Sequence, residues 1–440
     1  VSLFTRFRIG FLLVVFFFCF SGLSFGQQAL PYARSVIDTL SAPGMHGRGY
    51  VAGGHLKAAQ YIAGEFKKHK LKSFGNGYFQ EFPISVNTFP DDVALKAGDK
   101  VLEPGQDFLV SPCSQSISGR YEVMPLSAAA IKDPQLLLTS LQQARDKVLL
   151  IDKTSFSNAA KEDKQRLEEV LAFLRGFKNN PAVAVIVLTD EKLTWHVAQQ
   201  PCERPQLTVN KAAAPANFRF AELEIQSKFI PKLTTQNVAG LLPGKNPGKG
   251  LVVFSAHYDH LGRLGRNTFF PGANDNASGV AMMLSLAQYF SQPEHKPDYD
   301  ILFIAFGAEE AGLLGSRYFV QNPLVPLENI RFLMNLDITG TGEEGIKVVN
   351  GSVFKEHFAL LQSLNQEKAL LKQVSPRGEA CNSDHCPFYE QGVPSFFIYT
   401  LGGIQAYHDV YDRSETLPLT EFEDLHSLLV AFTKKLELIY

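Results

Sequence analysis

Five cysteines, one tryptophan and five methionines are few for 440 residues, and neither sign of charge is in excess. The length implies two or three domains at a prior of roughly one per 150 residues, each able to bury a core, so a miniprotein that depends on staples is excluded. With 42 basic and 44 acidic side chains, the net charge of -2 leaves no surplus to attract a nucleic acid. The 34 glycines and 24 prolines supply turns but fall far short of a low-complexity composition. No G-K-[ST] occurs, which removes the main signal for a P-loop site. What the chain does have is 45% hydrophobic residues and 20% charged ones, an ordinary globular balance.

Arg6 and Arg8 precede an apolar run from Phe11 to Phe20, and Ser24 and Gly26 supply small residues at the -3 and -1 positions of a cleavage site. Residues 1–26 therefore read as a signal peptide, and the mature protein is expected to be exported, either periplasmic or secreted. A bilayer requires roughly 20 apolar residues, more than this run contains, so no stable membrane insertion is expected after cleavage. Phenylalanines before Cys19 argue against lipid attachment there. Four cysteines remain. Proximity favours Cys381 with Cys386, leaving Cys113 with Cys202, while four unpaired thiols stay open as the alternative.

Asp38 to Gly44 has turn-forming composition, and Leu56, Ala59, Ile62, Ala63 and Phe66 recur at helical spacing. Between about 92 and 228 the texture changes. Short apolar runs such as Val148 to Ile151 and Val183 to Leu188 flank a charged helical stretch from Lys161 to Arg175, with no cluster of metal-binding or nucleophilic residues. This segment reads as an inserted β-rich or small α/β accessory domain. Strands are then expected at Leu251 to Ala256, Ile301 to Phe306, Phe332 to Leu336 and Ser395 to Thr400, and helices at Gly279 to Phe290, Leu313 to Val320 and Glu356 to Leu371. The alternation predicts an α/β fold with a doubly wound, mostly parallel sheet, assembled from residues 27–91 and 229–440.

In such a sheet, ligands bind beyond the carboxyl ends of the strands. His257 with Asp259, Glu309 with Glu310, Asp337 and His408 all follow inferred strands, and Asp275 precedes an inferred helix. Two histidines and three carboxylates suit two divalent zinc ions, particularly if one carboxylate bridges, and a second glutamate is then free to move protons. Any one of these side chains alone reads as a solvated or structural group. Gathered carboxylates, however, require compensation by cations or protons.

The segments Ser255 to Gly262, Gly272 to Gly279, Ala308 to Ser316, Asn335 to Asp337 and Tyr407-His408 resemble, in order, the motifs of the M28 family of co-catalytic zinc peptidases, mostly aminopeptidases. The resemblance covers roughly Pro31 to Asp91 and Thr234 to Tyr440, and the middle segment is similar to the protease-associated (PA) domain that several members carry. It implies zinc-exopeptidase architecture and two zinc ions, with Asp275 as the bridge, His257 and Asp337 completing one site, and Glu310 and His408 the other. It further implies Glu309 as general base, Asp259 as the carboxylate orienting His257, a cis peptide after Asp275, and a peptide with a free N-terminus as substrate. Asp384 and His385 are expected beside the pocket. Two alternatives share the fold: a glutaminyl cyclase-like aminoacyltransferase, and a non-catalytic peptide-binding ectodomain.

Several features read as decoys. Ser383-Asp384-His385 is no catalytic triad, because adjacency in sequence is not triad geometry and no G-x-S-x-G accompanies it. Asn276-Ala277-Ser278 matches a glycosylation sequon, but a glycan there would block the pocket. His260 is expected to face solvent or make a hydrogen bond. Tyr399 and Tyr407 could each offer a phenolic donor. Arg413 stands where members of the family have threonine.

Overall fold

A computed structural model describes residues 26–436 except 76 and 247. The expected signal segment thus lies outside the described residues apart from Gly26. Two eight-stranded sheets organise the chain. The first is built from Phe79–Thr88 (β1), Lys228–Leu242 (β2), Leu251–His257 (β3), Asp300–Phe306 (β4), Ile330–Leu336 (β5), Gly345–Val349 (β6), Val374–Pro376 (β7) and Ser395–Leu401 (β8). Their spatial order is β1-β2-β4-β3-β5-β8-β6-β7. β4, β3, β5 and β8 form a parallel centre. Antiparallel pairing adds β2 and β1 at one edge and β6 at the other, so the sheet is mixed around that centre.

Because side chains alternate along a strand, the central strands bury residues on both faces. Val252, Phe254 and Ala256 of β3, with Phe303 and Ala305 of β4, meet one helical layer. That layer comprises Gly26–Leu40 (α1), Gly54–Lys68 (α2), Gly279–Ser291 (α3), Lys355–Lys368 (α5) and Phe422–Lys435 (α7). On the opposite face, Val253, Leu302 and Ile304 pack with Phe319 of Leu314–Gln321 (α4) and Phe388 of His385–Glu390 (α6). The β3 and β4 stretches are near-continuous apolar runs for this reason. Among the described residues, no helix is long and apolar enough to cross a membrane.

Three local expectations are corrected. The stretch Asp38 to Leu40 is the last turn of α1, because Ala33, Val36, Ile37 and Leu40 share one buried helical face. In α2, Ala59, Ile62, Ala63 and Phe66 are buried as their spacing predicts, whereas Leu56 is 42% exposed. It lies at the margin of the apolar stripe, and His55 takes the inward position in that turn. α5 stops at Lys368 rather than at Leu371, because Ala369 turns into the left-handed region with φ 50°.

The second sheet uses strands between Val93–Ala97 and Phe220–Ile225, with helices Ala128–Lys132, Pro134–Gln143 and Lys161–Gly176 packed beside it. It is a separate α/β region. One side of its core continues into Leu261, Phe270 and Val410, residues of the loops beyond the first sheet. Cys113 bonds to Cys202 and Cys381 to Cys386, closing the pairing left open by sequence.

Candidate metal centre

The carboxyl ends of the parallel strands converge on one buried cluster. His257 ends β3, Asp337 follows β5, Glu309 and Glu310 follow β4, and His408 lies in the loop after β8. Asp275 comes from the irregular segment Ala273–Ser278 that leads into α3, and its peptide bond to Asn276 is cis. The side chain of Asn276 donates to the Leu336 carbonyl and accepts from the Gly279 and Ile338 amides. Asn276 is fully buried, so the sequon has no accessible acceptor nitrogen.

Each oxygen of Asp275 faces a different imidazole. Oδ1 is 3.3 Å from His257 Nε2, which also lies 3.5 Å from Asp337 Oδ1. Oδ2 is 3.0 Å from His408 Nε2, which lies 3.3 Å from Glu310 Oε2. Two clusters able to hold a metal result, His257–Asp275–Asp337 and His260–Asp275–Glu310, with Asp275 common to both. Nitrogen and oxygen ligands at zinc distances of 2.0–2.2 Å stand roughly 3.3–3.6 Å apart at the corners of a tetrahedron. The observed separations are close to those edges. The buried Asp337 Oδ1 has no hydrogen-bond partner, as suits an oxygen whose partner is a cation. Donor set and spacing therefore fit a dinuclear zinc centre.

The surroundings fix the orientation of each donor. His257 Nδ1 lies 3.2 Å from the Asp259 carbonyl, and His408 Nδ1 lies 2.9 Å from the Trp195 carbonyl. A carbonyl only accepts, so in both rings Nδ1 donates and Nε2 is left to face the cluster. A relay from Ser255 to Asn335 to Ser383 reaches Asp337 Oδ2, with the last hydroxyl donating at 3.2 Å. Asp412 accepts the main-chain N–H groups of Asn274 at 2.8 Å and Asp275 at 2.9 Å. From below, the buried Arg48 donates to the carbonyls of Leu40, Tyr258, Pro271, Gly272 and Asp275.

Excess negative charge governs the titration of this centre. Burial lowers His257, but the charges of Asp337 and Glu309 and the close approach of Asp275 and Asp337 hold it well above its usual value. His408 is likewise lowered by burial, then raised to about 11 by Glu310 and Asp275. Burial pushes Asp275 up, yet hydrogen bonds from both imidazoles hold it well below the carboxylate range. Glu309 differs. Burial and the charges of Asp384, Glu310 and Asp337 overcome the His257 charge and push it well above that range.

Asp259 is expected to orient His257 through its carboxylate, but that carboxylate stands 3.9 Å from Nδ1 and makes no hydrogen bond to it. It accepts the main-chain N–H of Glu309 at 3.0 Å and of Glu310 at 3.4 Å instead, so the Asp259 carbonyl orients the ring while its side chain sets the glutamate turn. Asp384 is buried in the electrostatic field of His257, Asp259 and Asp337, and burial first, then those acids, raises it to about 7. His385 is buried, with Nε2 3.0 Å from the Ala380 carbonyl and its ring 5.4 Å from that of Phe397. Burial lowers it to about 4. His260 is buried, with Nδ1 2.8 Å from Glu310 Oε1. Tyr407 stacks on His408 at 4.0 Å, and burial followed by the charges of Asp275, Glu310, Asp337 and Glu309 raises its hydroxyl. Tyr399 instead contacts Arg377, and Arg413 donates to the Val410 carbonyl on the surface.

Arg48, Asp412 and Trp195 escape the sequence reading. Nothing local marks a lone arginine between two helices or one tryptophan in a loop; their partners lie some 210 residues away.

The fold and site define a class, a peptidase-type α/β domain with two acidic metal-binding clusters that share an aspartate. Residues 237–433 match the sequence model of Peptidase family M28. Aminopeptidase YwaD of Bacillus subtilis is 31% identical over 223 residues, 49% of this chain and 47% of that protein. Leupeptin-inactivating enzyme 1 of Streptomyces exfoliatus is 31% identical over 167 residues, 37% of this chain and 35% of that protein. The matches thus span about half or less of these relatives. A Peptidase M28 precursor from Shewanella amazonensis superposes with a TM-score of 0.69 at 14% identity, covering 94% of this chain and 95% of that one. The zinc aminopeptidase BSAP from Bacillus subtilis superposes at 0.65 with 23% identity, covering 92% and 94%. The likeness of fold therefore extends through the accessory region.

Proposed function

We propose that the chain is a co-catalytic zinc aminopeptidase, hydrolysing the N-terminal residue from peptides. The observation that carries this reading is Asp275, whose two oxygens each face a separate histidine and carboxylate pair. His257 and Asp337 would hold one ion and Glu310 and His408 the other, with Asp275 shared between the two. When bound, such a pair of zinc ions supplies Lewis acidity to the scissile carbonyl and lowers the pKa of an attacking water.

The chain's own groups do the rest. Glu309, unengaged as a ligand, would accept a proton from water and deliver it to the departing amine. Tyr407, whose hydroxyl keeps its proton in this field, donates toward the charge that develops on the carbonyl oxygen. Retention of the full ligand set weighs against cyclase chemistry, and retention of Glu309 against a binding-only ectodomain.

Residues 92–228 are read as the PA-like accessory domain, inserted between residues 27–91 and 229–440 of the peptidase domain. Export to the periplasm or medium after removal of residues 1–26 is part of the same reading, and two disulfides support an oxidising destination. Peptide libraries with free and acetylated N-termini, digested and analysed by mass spectrometry, test the activity. Stepwise shortening of free peptides alone is the expected result; cleavage of acetylated peptides at internal bonds would overturn the exopeptidase assignment.

A further inference from the structure

The accessory domain reaches the metal centre through one irregular segment, residues 192–199, between the strands Ala184–Thr189 and Gln206–Asn210. This strap grips two catalytic loops. Lys192 Nζ donates to the carbonyls of Gln405 at 2.6 Å and Tyr407 at 3.0 Å, and pairs with the buried Asp409 at 2.8 Å. The Trp195 N–H donates to the His408 carbonyl at 2.9 Å, and the Trp195 carbonyl accepts His408 Nδ1 at 2.9 Å. Further along, Gln199 Nε2 donates at 2.7 Å to the carbonyl of Ala311, the residue after Glu310. The strap is rooted as firmly as it grips. The Trp195 indole N–H donates to the Val110 carbonyl at 2.6 Å, its ring stacks on Phe270 at 4.7 Å, and the Cys113–Cys202 bond follows the strap.

The two loops it ties together carry Glu310 and His408, the ligands assigned above to a single ion. The partners holding His257 and Asp337 belong to the peptidase domain itself, the Asp259 carbonyl for one and Ser383 for the other. Support is therefore asymmetric. We propose that the accessory-domain strap is a positioning element for one metal position, that of Glu310 and His408, and leaves the position of His257 and Asp337 independent of it. The inference rests on the two-ion reading of the preceding section. Its consequence is that events in the accessory domain act on catalysis by loosening or tightening one ion.

Substituting partners behind a metal ligand typically lowers affinity by about 10- to 100-fold. The test is zinc titration of metal-depleted full chain against a competing chromophoric chelator, comparing wild type with a Lys192→Met, Gln199→Leu double variant and with Lys192→Arg. Wild type is expected to take two ions. The double variant should take one with unchanged affinity and the other at least about ten-fold more weakly, while Lys192→Arg, which keeps the charge, should bind both ions nearly as wild type does. Trp195 is the chain's one tryptophan, so its emission reports on the strap directly. It should change on one zinc-binding step and not on the other. Equal weakening of both ions, or of neither, would overturn the proposal while leaving the two-ion centre standing. Fewer than two ions on the wild-type protein would overturn that centre, and the proposal with it.

Discussion

The Arg48 guanidinium donates to the main-chain carbonyl of Asp275 at 3.2 Å, across 227 residues of sequence. The same side chain satisfies the carbonyls of Leu40, Tyr258, Pro271 and Gly272, and burial lowers it only to about 10, so it stays charged. A fully buried cation solvated by five carbonyls joins the end of α1, the end of β3 and the Asp275 segment.

Arg48→Met should destabilise the protein by about 3–5 kcal/mol, the range for removing one partner from a buried charged network. Arg48→Lys should lose less, because an ammonium keeps the charge with only three donors. Urea unfolding of the metal-depleted proteins measures both. A loss below about 1 kcal/mol for Arg48→Met would contradict the structural role assigned to it.

The adjacent acids should separate by experiment. Glu309→Gln keeps size but removes the proton acceptor, so turnover should fall by at least about 10²-fold while zinc content holds. Glu310→Gln should weaken one metal position, since a neutral amide is a poorer ligand. Metal content and single-turnover hydrolysis at one pH distinguish them. Near-normal turnover by folded, zinc-filled Glu309→Gln protein would remove Glu309 from the proton-transfer role.

The parallel centre of the sheet is legible in the sequence because it has a local signature, while the ligand roles are what the resemblance to the M28 family implies. Strands buried on both faces are continuous apolar runs, and a ligand after each strand end falls into the same pocket whatever its distance in sequence. What escaped has no such signature. Arg48 acts through carbonyls scattered along the chain, and Trp195 through its own backbone, whose direction no side-chain pattern records. Asp259 was legible as a site residue but not in its bonding, since its choice between an imidazole and two nearby amides depends on how the Glu309–Glu310 turn approaches it.

Acid stability offers a test remote from the metals. His426 in α7 is buried, and burial, offset in part by a hydrogen bond with the Ser285 backbone, lowers it from 6.5 to about 4. The folded state thus resists a proton that the unfolded state accepts. Its contribution is fully present above pH 6.5 and is lost as pH falls toward 4, by about 3 kcal/mol in all. His426→Phe should flatten the decline in unfolding free energy over this window, measured by urea titration in chelator. An unchanged slope would show that His426 is protonated as easily in the folded protein.

The account depends most on two metal positions flanking Asp275, and an anomalous difference map of zinc-loaded crystals above the zinc absorption edge examines them directly. Two peaks about 3.5–4 Å apart are predicted, one beside His257 and Asp337 and the other beside Glu310 and His408, with Asp275 between them. A single peak, or density that bypasses Asp275, would contradict the dinuclear centre.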